Sequence, residues 1–445
     1  MKRILILGAG MVAHPIIIHL LKGNFYVTVA NPDKDRANEW VQGMENGQAV
    51  YWTMDDAGGL ESLVEAHDIV VSLLPFAFHV SVAKVCIRKQ KPLVTTSYIS
   101  PEMQALDAEA RAAGIILLNE MGLDPGIDHM SAMRIIDKIH AEGGNIEAFY
   151  SFCGALPAPE AANNPLKYKF SWSPKGVLLA ANNGAHFLQK GKTVQIPAND
   201  LFKQPLIVNF DPLGEMEVYP NRDSVSYIGI YGIPETKTMY RGTFRFPGWC
   251  ESMDAIKKLG LISDQKIDMS HMTYAELLAY TSGIKTTNNL HGRVEAQLGL
   301  SPGSIGIASL DWLGFFDARP IGRQIDTPFE VSSDLMIKKM ELGKDERDMV
   351  VMQHTFLVNH KDGRREVVRS RMMEFGSPST DTAIARTVAL PAALATEMIL
   401  SGQISQKGVW RPVLPEIYHP VLEGLEKMNI RLTEEYGLPE TEIMG

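Results

Sequence analysis

Residues 3–13 read Arg3-Ile4-Leu5-Ile6-Leu7-Gly8-Ala9-Gly10-Met11-Val12-Ala13. The first five form a short continuous apolar run, the pattern of a strand buried on both faces. A glycine turn follows, and then an apolar helix-like stretch over 12–21. Strand, glycine turn and helix in that order are the setting in which a GxGxxA segment binds a dinucleotide. Gly8 permits the tight turn, and Gly10 lets backbone N–H groups approach a pyrophosphate at the helix N-terminus. Met11 and Val12 complete the turn, and Ala13 stands where a third glycine is common. These residues are the first candidates for cofactor binding.

The alternation continues downstream. Segments 26–31 (YVTVAN), 67–75 (HDIVVSLLP), 92–98 (PLVTTSY) and 115–119 (IILLN) read as strands, with helical stretches between them. One of these helices spans 101–114, with Ser100 to cap it and Gly114 to end it. Repeated βα units imply an α/β fold with a parallel, doubly wound sheet whose ligand sits at the C-terminal strand ends. Asn31, Leu74, Pro75, Thr96, Ser97, Tyr98 and residues 119–124 are therefore candidates. After the second strand comes Asn31-Pro32-Asp33-Lys34-Asp35-Arg36. An acid here accepts from ribose hydroxyls, whereas an arginine favours a 2′-phosphate. Asp33 tips the expectation slightly towards NAD over NADP, although Arg36 could reach a phosphate.

The whole chain bounds what these motifs can mean. Its 445 residues predict two or three domains, and 45% apolar with 21% charged residues excludes disorder. A net charge of −9 argues against a nucleic-acid or anionic-membrane binder. Cys86, Cys153 and Cys250 are far apart, without a CxxC pair, so neither a disulfide framework nor a metal site is expected. The apolar runs read as too short to cross a bilayer, and no signal peptide is visible. The expectation is a cytoplasmic protein.

Beyond Gly122 the simple alternation stops. In Gly122-Leu123-Asp124-Pro125-Gly126-Ile127-Asp128-His129, Asp124 precedes a proline and is pushed towards an extended or turn conformation, which projects its carboxylate. His129 opens a helix-like stretch, where a lone histidine is more often structural than a ligand. A strand ends near Cys153-Gly154, and an irregular proline-rich loop runs over 156–173, closing at Ser173. Segments 218–224 and 240–246 carry Arg222, Arg241 and Arg245, whose guanidinium forks suit a polycarboxylate ligand. Helical patterns fill 265–330. Two strands flank the Asp362-Gly363 turn, and a strong helix runs over 382–400.

With these residues in view, the chain resembles the glutamate-forming saccharopine dehydrogenase (saccharopine reductase) family over nearly its whole length. The match is carried by GAGMVAHP (8–15), SLLPFAFH (72–79), TTSYISPEM (95–103), NEMGLDPGIDH (119–129), the stretch 153–180, YPNRDS (219–224) and RGTF (241–244). It weakens after about residue 265. The resemblance implies a Rossmann domain over 1–125 and a mixed-sheet substrate and dimerisation domain over 126–395 with a small helical subdomain. A C-terminal segment, 396–445, would return to the Rossmann domain, and the protein would be a homodimer. The implied reaction is the reversible NAD(P)-linked oxidation of saccharopine to glutamate and 2-aminoadipate semialdehyde. Carried over motif by motif, Asp124, Cys153 and Tyr98 would surround the reacting centre. Arg222 would bind a substrate carboxylate, with Ser97, Tyr98, Asp124, Thr243 and Arg245 beside it. Gly8, Gly10, Met11, Val12, Ala13, Asn31, Asp33, Leu74, Pro75, Thr96, Ser97, Leu123, Asp124, Pro125 and Ser173 would line the cofactor. The sequence departs from the NADP-linked fungal pattern at Pro32, where an arginine is usual, and at Ala13. Rival readings are a lysine 6-dehydrogenase or carboxynorspermidine synthase on the same scaffold, or a non-catalytic dinucleotide-binding sensor.

Overall fold

The computed structural model describes residues 1–378 and 381–444. Its strands begin with β1 (Arg3–Leu7), β2 (Tyr26–Asn31), β3 (Gly47–Tyr51), β4 (Ile69–Ser72), β5 (Leu93–Thr95) and β6 (Ile116–Leu118). β7 (Asn145–Pro157), β8 (Ala185–Gln189), β9 (Lys192–Ile196), β10 (Leu206–Phe210), β11 (Gly214–Pro220) and β12 (Thr238–Arg245) follow. The remainder are β13 (Ile267–Asp268), β14 (Ile325–Asp326), β15 (Asp348–Asn359), β16 (Arg365–Phe375), β17 (Gly408–Trp410) and β18 (Thr433–Leu438). The chain divides into two units, Met1–Gly144 with Ser370–Glu434, and Asn145–Arg369 with Glu435–Gly445.

The first unit holds a seven-stranded sheet in the order β17-β6-β5-β4-β1-β2-β3. Every pairing in it is parallel. Leu5, Leu7, Val70, Leu93 and Leu117 point to one apolar layer, shared with Leu60, Val64, Val82 and Cys86 from helices Ala57–Glu65 and His79–Lys89. On the same strands Ile4 and Ile6 are also fully buried. Helix Ala383–Leu400 packs against β4 and β5 and against helix His14–Lys22. A sheet covered on both faces explains why its strands read as continuous apolar runs rather than alternating ones.

Several expectations need correction. The helix after the glycine turn starts at His14, with Pro15 in its first turn, rather than at Val12. The expected helix over 101–114 is two pieces, Pro101–Gln104 and Asp107–Ala112, although Ser100 caps the first by accepting from the Met103 N–H. The first unit extends past residue 125 because helix Ile127–Ala141 packs on helix Pro415–Lys427, where the Tyr418 hydroxyl donates to Asp137. It regains the chain at Ser370, not near 396, because helix Ala383–Leu400 closes its sheet, and the last residues from Glu435 belong to the second unit. That helix also corrects the reading of apolar runs, being long and apolar enough to span a bilayer by length and composition. Two-thirds of its residues are buried against the unit, which marks a core helix.

The second unit is built on a mixed sheet ordered β10-β11-β12-β7-β15-β16-β18, with β8 pairing β12 and β9 pairing β8. The long central strand β7 runs parallel to β12 and antiparallel to β15. The expected helical region contains helices Tyr274–Ser282, Leu290–Leu298 and Ile305–Leu313, with Pro328–Lys339 just after it. A ribbon of β13 and β14 ties the region at its base.

Candidate functional site

In the first unit the strand order reverses between β1 and β4, and open α/β sheets bind ligands in the crevice at that reversal. Gly8 follows β1 with φ +99°, and a Cβ there would lie 3.3 Å from the Leu73 carbonyl oxygen and 3.5 Å from the Leu74 side chain. Only glycine fits such a turn. Asn31, at the end of β2, accepts from the Ala9 N–H (3.0 Å) and donates to the Asp33 carbonyl (2.8 Å), so it braces the glycine turn. A Cβ on Gly10 would meet nothing within 4 Å. Among the described residues the N–H groups of Gly10, Met11 and Val12 have no protein acceptor. Ala13 is fully buried, which lets the following helix sit close to the sheet. Free N–H groups at a helix N-terminus beside an open glycine cradle fit a pyrophosphate. Pro75 is exposed at the end of β4, and Thr96 and Ser97 follow β5.

A polar cluster lies at the ends of β4, β5 and β6. The Tyr98 hydroxyl donates to Asp124 Oδ1 at 2.5 Å, and both side chains are half-buried. Leu123 and Pro125 hold Asp124 in a tight knot, in which the Gly122 N–H donates to the Pro125 carbonyl (3.0 Å) and the Asp128 N–H to that of Leu123 (3.0 Å). Buried His79 bridges Ser72 Oγ (3.0 Å) and Ser97 Oγ (2.9 Å). Burial lowers its imidazole pKa to about 4, so the ring is neutral at physiological pH and can donate to only one of the two hydroxyls.

Glu120, at the end of β6, is 1% exposed. It lies 2.9 Å from His129 Nε2 and 3.2 Å from Arg411 Nε. Burial pushes its carboxyl up, but His129, Arg411 and the Ile99 N–H more than offset this and hold it at about 2.

In the second unit Cys153 stands on β7, in register with Thr243 of β12 and with Met352 of β15. Thr243 is in turn opposite Tyr219 of β11, so these four side chains form one row across the sheet. Arg245, two residues beyond Thr243, shares that face. It is 4% exposed, and its guanidinium lies over the rings of Tyr168 (4.8 Å), Trp249 (5.2 Å) and Tyr219 (5.6 Å). Its Nε has no hydrogen-bond partner among the described residues. Arg222 is exposed, with φ +45°, in a cleft of about 470 Å³ lined also by Asn183, His186, Gln195 and Asp223. Among the described residues no ion pair joins Arg222 to Asp223, whose carboxylate accepts from His186 Nδ1 (3.1 Å) and the Val225 N–H (3.0 Å). Ser173 caps helix Pro174–Ala180 by accepting from the Gly176 N–H. The candidates thus gather in two groups, one on each unit. Reading the sequence included Glu120 only within the candidate stretch 119–124, gave it no role of its own, and missed His79 and Arg411 as site residues. The signal for the first two lay in motifs already quoted, NEMG and FAFH, where charged or titratable residues follow a buried strand.

A parallel sheet with an open glycine cradle at its reversal, and a tyrosine–aspartate pair at neighbouring strand ends, define a dinucleotide-dependent oxidoreductase. Residues 4–118 match the model described as "Saccharopine dehydrogenase NADP binding domain", and 122–430 match "Saccharopine dehydrogenase C-terminal domain". The chain belongs to the saccharopine dehydrogenase family. It is 36% identical to "Saccharopine dehydrogenase [NADP(+), L-glutamate-forming]" of Schizosaccharomyces pombe, covering 98% of this chain and 99% of that one. It is also 36% identical to the mitochondrial alpha-aminoadipic semialdehyde synthase of Bos taurus, over 98% of this chain but 48% of that protein. The solved apo saccharopine dehydrogenase (L-Glu forming) of Saccharomyces cerevisiae superposes with a TM-score of 0.90 at 34% identity, covering 98% of this chain and 100% of that one.

The slight lean to NAD finds no support, since the matching domain and the fungal relatives are described by NADP. The local geometry weakens its basis too. Asp33 serves as the N-cap of helix Lys34–Val41, accepting from the Arg36 N–H at 3.1 Å, while Lys34 and Arg36 are exposed in that helix's first turn.

Proposed function

We propose that this chain catalyses the reversible NAD(P)-linked oxidation of saccharopine to L-glutamate and 2-aminoadipate 6-semialdehyde. The observation that carries this reading is the end-to-end likeness, at 36% identity, to fungal enzymes named for that glutamate-forming reaction. The nicotinamide supplies the hydride acceptor when bound. Gly8, Gly10, Met11, Val12 and Ala13 would hold its pyrophosphate, braced by Asn31. The substrate's secondary amine must be neutral as hydride leaves the neighbouring carbon, and the resulting iminium must take up water. Asp124 would move the protons these steps require, with its carboxylate held by the Tyr98 hydroxyl. Cys153 is proposed beside the reacting centre, with Thr243, Arg245 and Arg222 as the recognition groups of the second unit. Incubating the purified protein with saccharopine and either cofactor, and following nicotinamide absorbance, tests the proposal. Folded, cofactor-binding protein without turnover would refute it, and lysine and carboxynorspermidine would then be the next substrates to try.

NADP is the proposed preferred form. Lys34 and Arg36 stand at the end of β2, where a 2′-phosphate would lie, and Arg36 is steadied over the Trp40 ring at 5.3 Å. The ratio kcat/KM is expected to favour NADP over NAD by roughly 10-fold or more, the worth of one or two charge-assisted hydrogen bonds. Arg36→Ala should remove most of that preference. A wild-type ratio favouring NAD would overturn the assignment.

Saccharopine carries three carboxylates, which a chain of net charge −9 attracts only through local cations. Among the described residues the Arg222 guanidinium has no carboxylate partner, so it is available to one. Arg222→Ala is expected to raise KM for saccharopine roughly 10- to 100-fold, the loss of about 1.5–3 kcal/mol from one charge-assisted contact. KM for the cofactor should stay within about twofold, because uniform binding of one substrate is all that is removed. An unchanged saccharopine KM would show that this arginine is only a solvated surface residue.

A further inference from the structure

We propose that Glu120 is a positioning residue that clamps the Tyr98 loop and so keeps the Tyr98 hydroxyl on Asp124. The inference deepens the reading given above and rests on it for the reaction. Glu120 holds both sides of Tyr98: its own N–H donates to the Ser97 carbonyl at 3.1 Å, and its Oε1 accepts from the Ile99 N–H at 3.0 Å. Only Tyr98 lies between those two bonds, and its hydroxyl reaches Asp124 at 2.5 Å. Glu120 and Asp124 sit four positions apart on one segment, so the clamp ties the loop after β5 to the loop after β6.

The backbone at Glu120 is left-handed, with φ +60°, a conformation uncommon for a residue that is not glycine. Such a conformation persists where surrounding contacts over-determine it. Those contacts are His129 at 2.9 Å, from the first turn of helix Ile127–Ala141, and Arg411 at 3.2 Å, just after β17. A carboxylate buried between an imidazole and a guanidinium stays ionised across the working pH range. The clamp therefore needs no change in the protonation of Glu120, whereas the proton-moving role belongs to Asp124. A packing residue would not need a charge here, since an apolar side chain of similar volume fills space without a buried ion pair.

The test uses Glu120→Ala, which deletes the carboxylate but keeps a Cβ on the same backbone, and Glu120→Gln, which keeps the shape and removes the charge. Each is also combined with Tyr98→Phe. Glu120→Ala is expected to lower kcat for saccharopine roughly 10- to 100-fold, the scale of a catalytic group displaced by about an ångström, while KM for the nicotinamide cofactor stays put. In the Tyr98→Phe background the same change should cost less than about twofold, because the two act through one contact. Full additivity would overturn the proposal.

Hydrogen exchange supplies a second readout that needs no turnover. Amides over 97–99 should exchange at least roughly 10-fold faster in Glu120→Ala, with β1 and β4 unchanged. Unchanged exchange overturns the clamp whatever the wild-type activity. Faster exchange in a protein whose wild type leaves saccharopine untouched would keep the clamp and discard the reaction. If the alanine variant does not fold, Glu120→Gln is read by the same exchange measurement: loss of the charge pairing with His129 and Arg411 should speed exchange over 97–99, and unchanged exchange overturns the clamp.

Discussion

Gly126→Ala is expected to unfold or grossly destabilise the first unit, at a cost of about 4 kcal/mol or more, among the largest that single substitutions produce. Gly126 has φ +146°, a region open in practice to glycine alone. A Cβ there would sit 2.0 Å from the Gly122 carbonyl oxygen and 2.4 Å from the Gly122 N and C atoms. These are backbone atoms, so no rotamer change relieves the clash. The same backbone carries the knot that aims Asp124: Gly126 N–H donates to Asp128 Oδ1 (2.6 Å), and Ile127 N–H donates to the Gly122 carbonyl (2.9 Å). Melting followed by circular dichroism should show a fall of roughly 10 °C or more, or no soluble protein at all. Gly191→Ala is the control. Its φ is +76°, but its Cβ would meet nothing within 4 Å, so only the left-handed backbone penalty of about 1–2 kcal/mol applies. If the two variants melt alike, the steric reading of the knot is wrong.

What could be read in advance follows from how locally each feature is encoded. β1, β2 and the glycine turn were legible because a strand buried on both faces leaves an unbroken apolar run, and the turn geometry demands glycine at Gly8. β3 was not, because it is an edge strand, GQAVY, in which only Ala49 is buried. The extent of the first unit was hidden for a different reason. Helix Ala383–Leu400 reads as a strong apolar helix, but nothing in its own pattern says that it packs on a helix starting at His14. The site shows the same division. Asp124 was visible through its neighbouring proline, and Tyr98 through its place at a strand end. The charges that hold Glu120 come from positions 129 and 411, a pairing no spacing rule reports. Likewise Cys153 and Thr243 are neighbours only because β7 and β12 run parallel, a register fixed by tertiary packing. Arg245, expected beside Thr243 in the substrate pocket, lies two residues beyond it on the same strand. Its aromatic surroundings were unforeseeable, since Tyr168, Tyr219 and Trp249 come from three separate segments.

Asp124→Asn is expected to lower kcat for saccharopine oxidation by about 10²- to 10⁴-fold, the usual worth of a general acid–base group. The amide keeps the shape of the carboxylate and loses its basicity. Asparagine has the same shape, its oxygen can still accept the Tyr98 hydroxyl, and the Gly122–Gly126 knot that holds the position is backbone. Structure and cofactor affinity should therefore survive, and melting temperature and NADP binding measured on the same preparation would show it. What is lost is the ability to take a proton. Saccharopine brings amines of its own, so the substrate can supply part of that function, which places the expected loss nearer the lower end of the range. Tyr98→Phe separates the two roles. It leaves the carboxylate in place but removes the hydroxyl that orients it, so it should cost less than Asp124→Asn. If Asp124→Asn keeps kcat within about twofold of the wild type, the aspartate is not the proton-transfer group, and the substrate's own amine becomes the base that the chemistry requires.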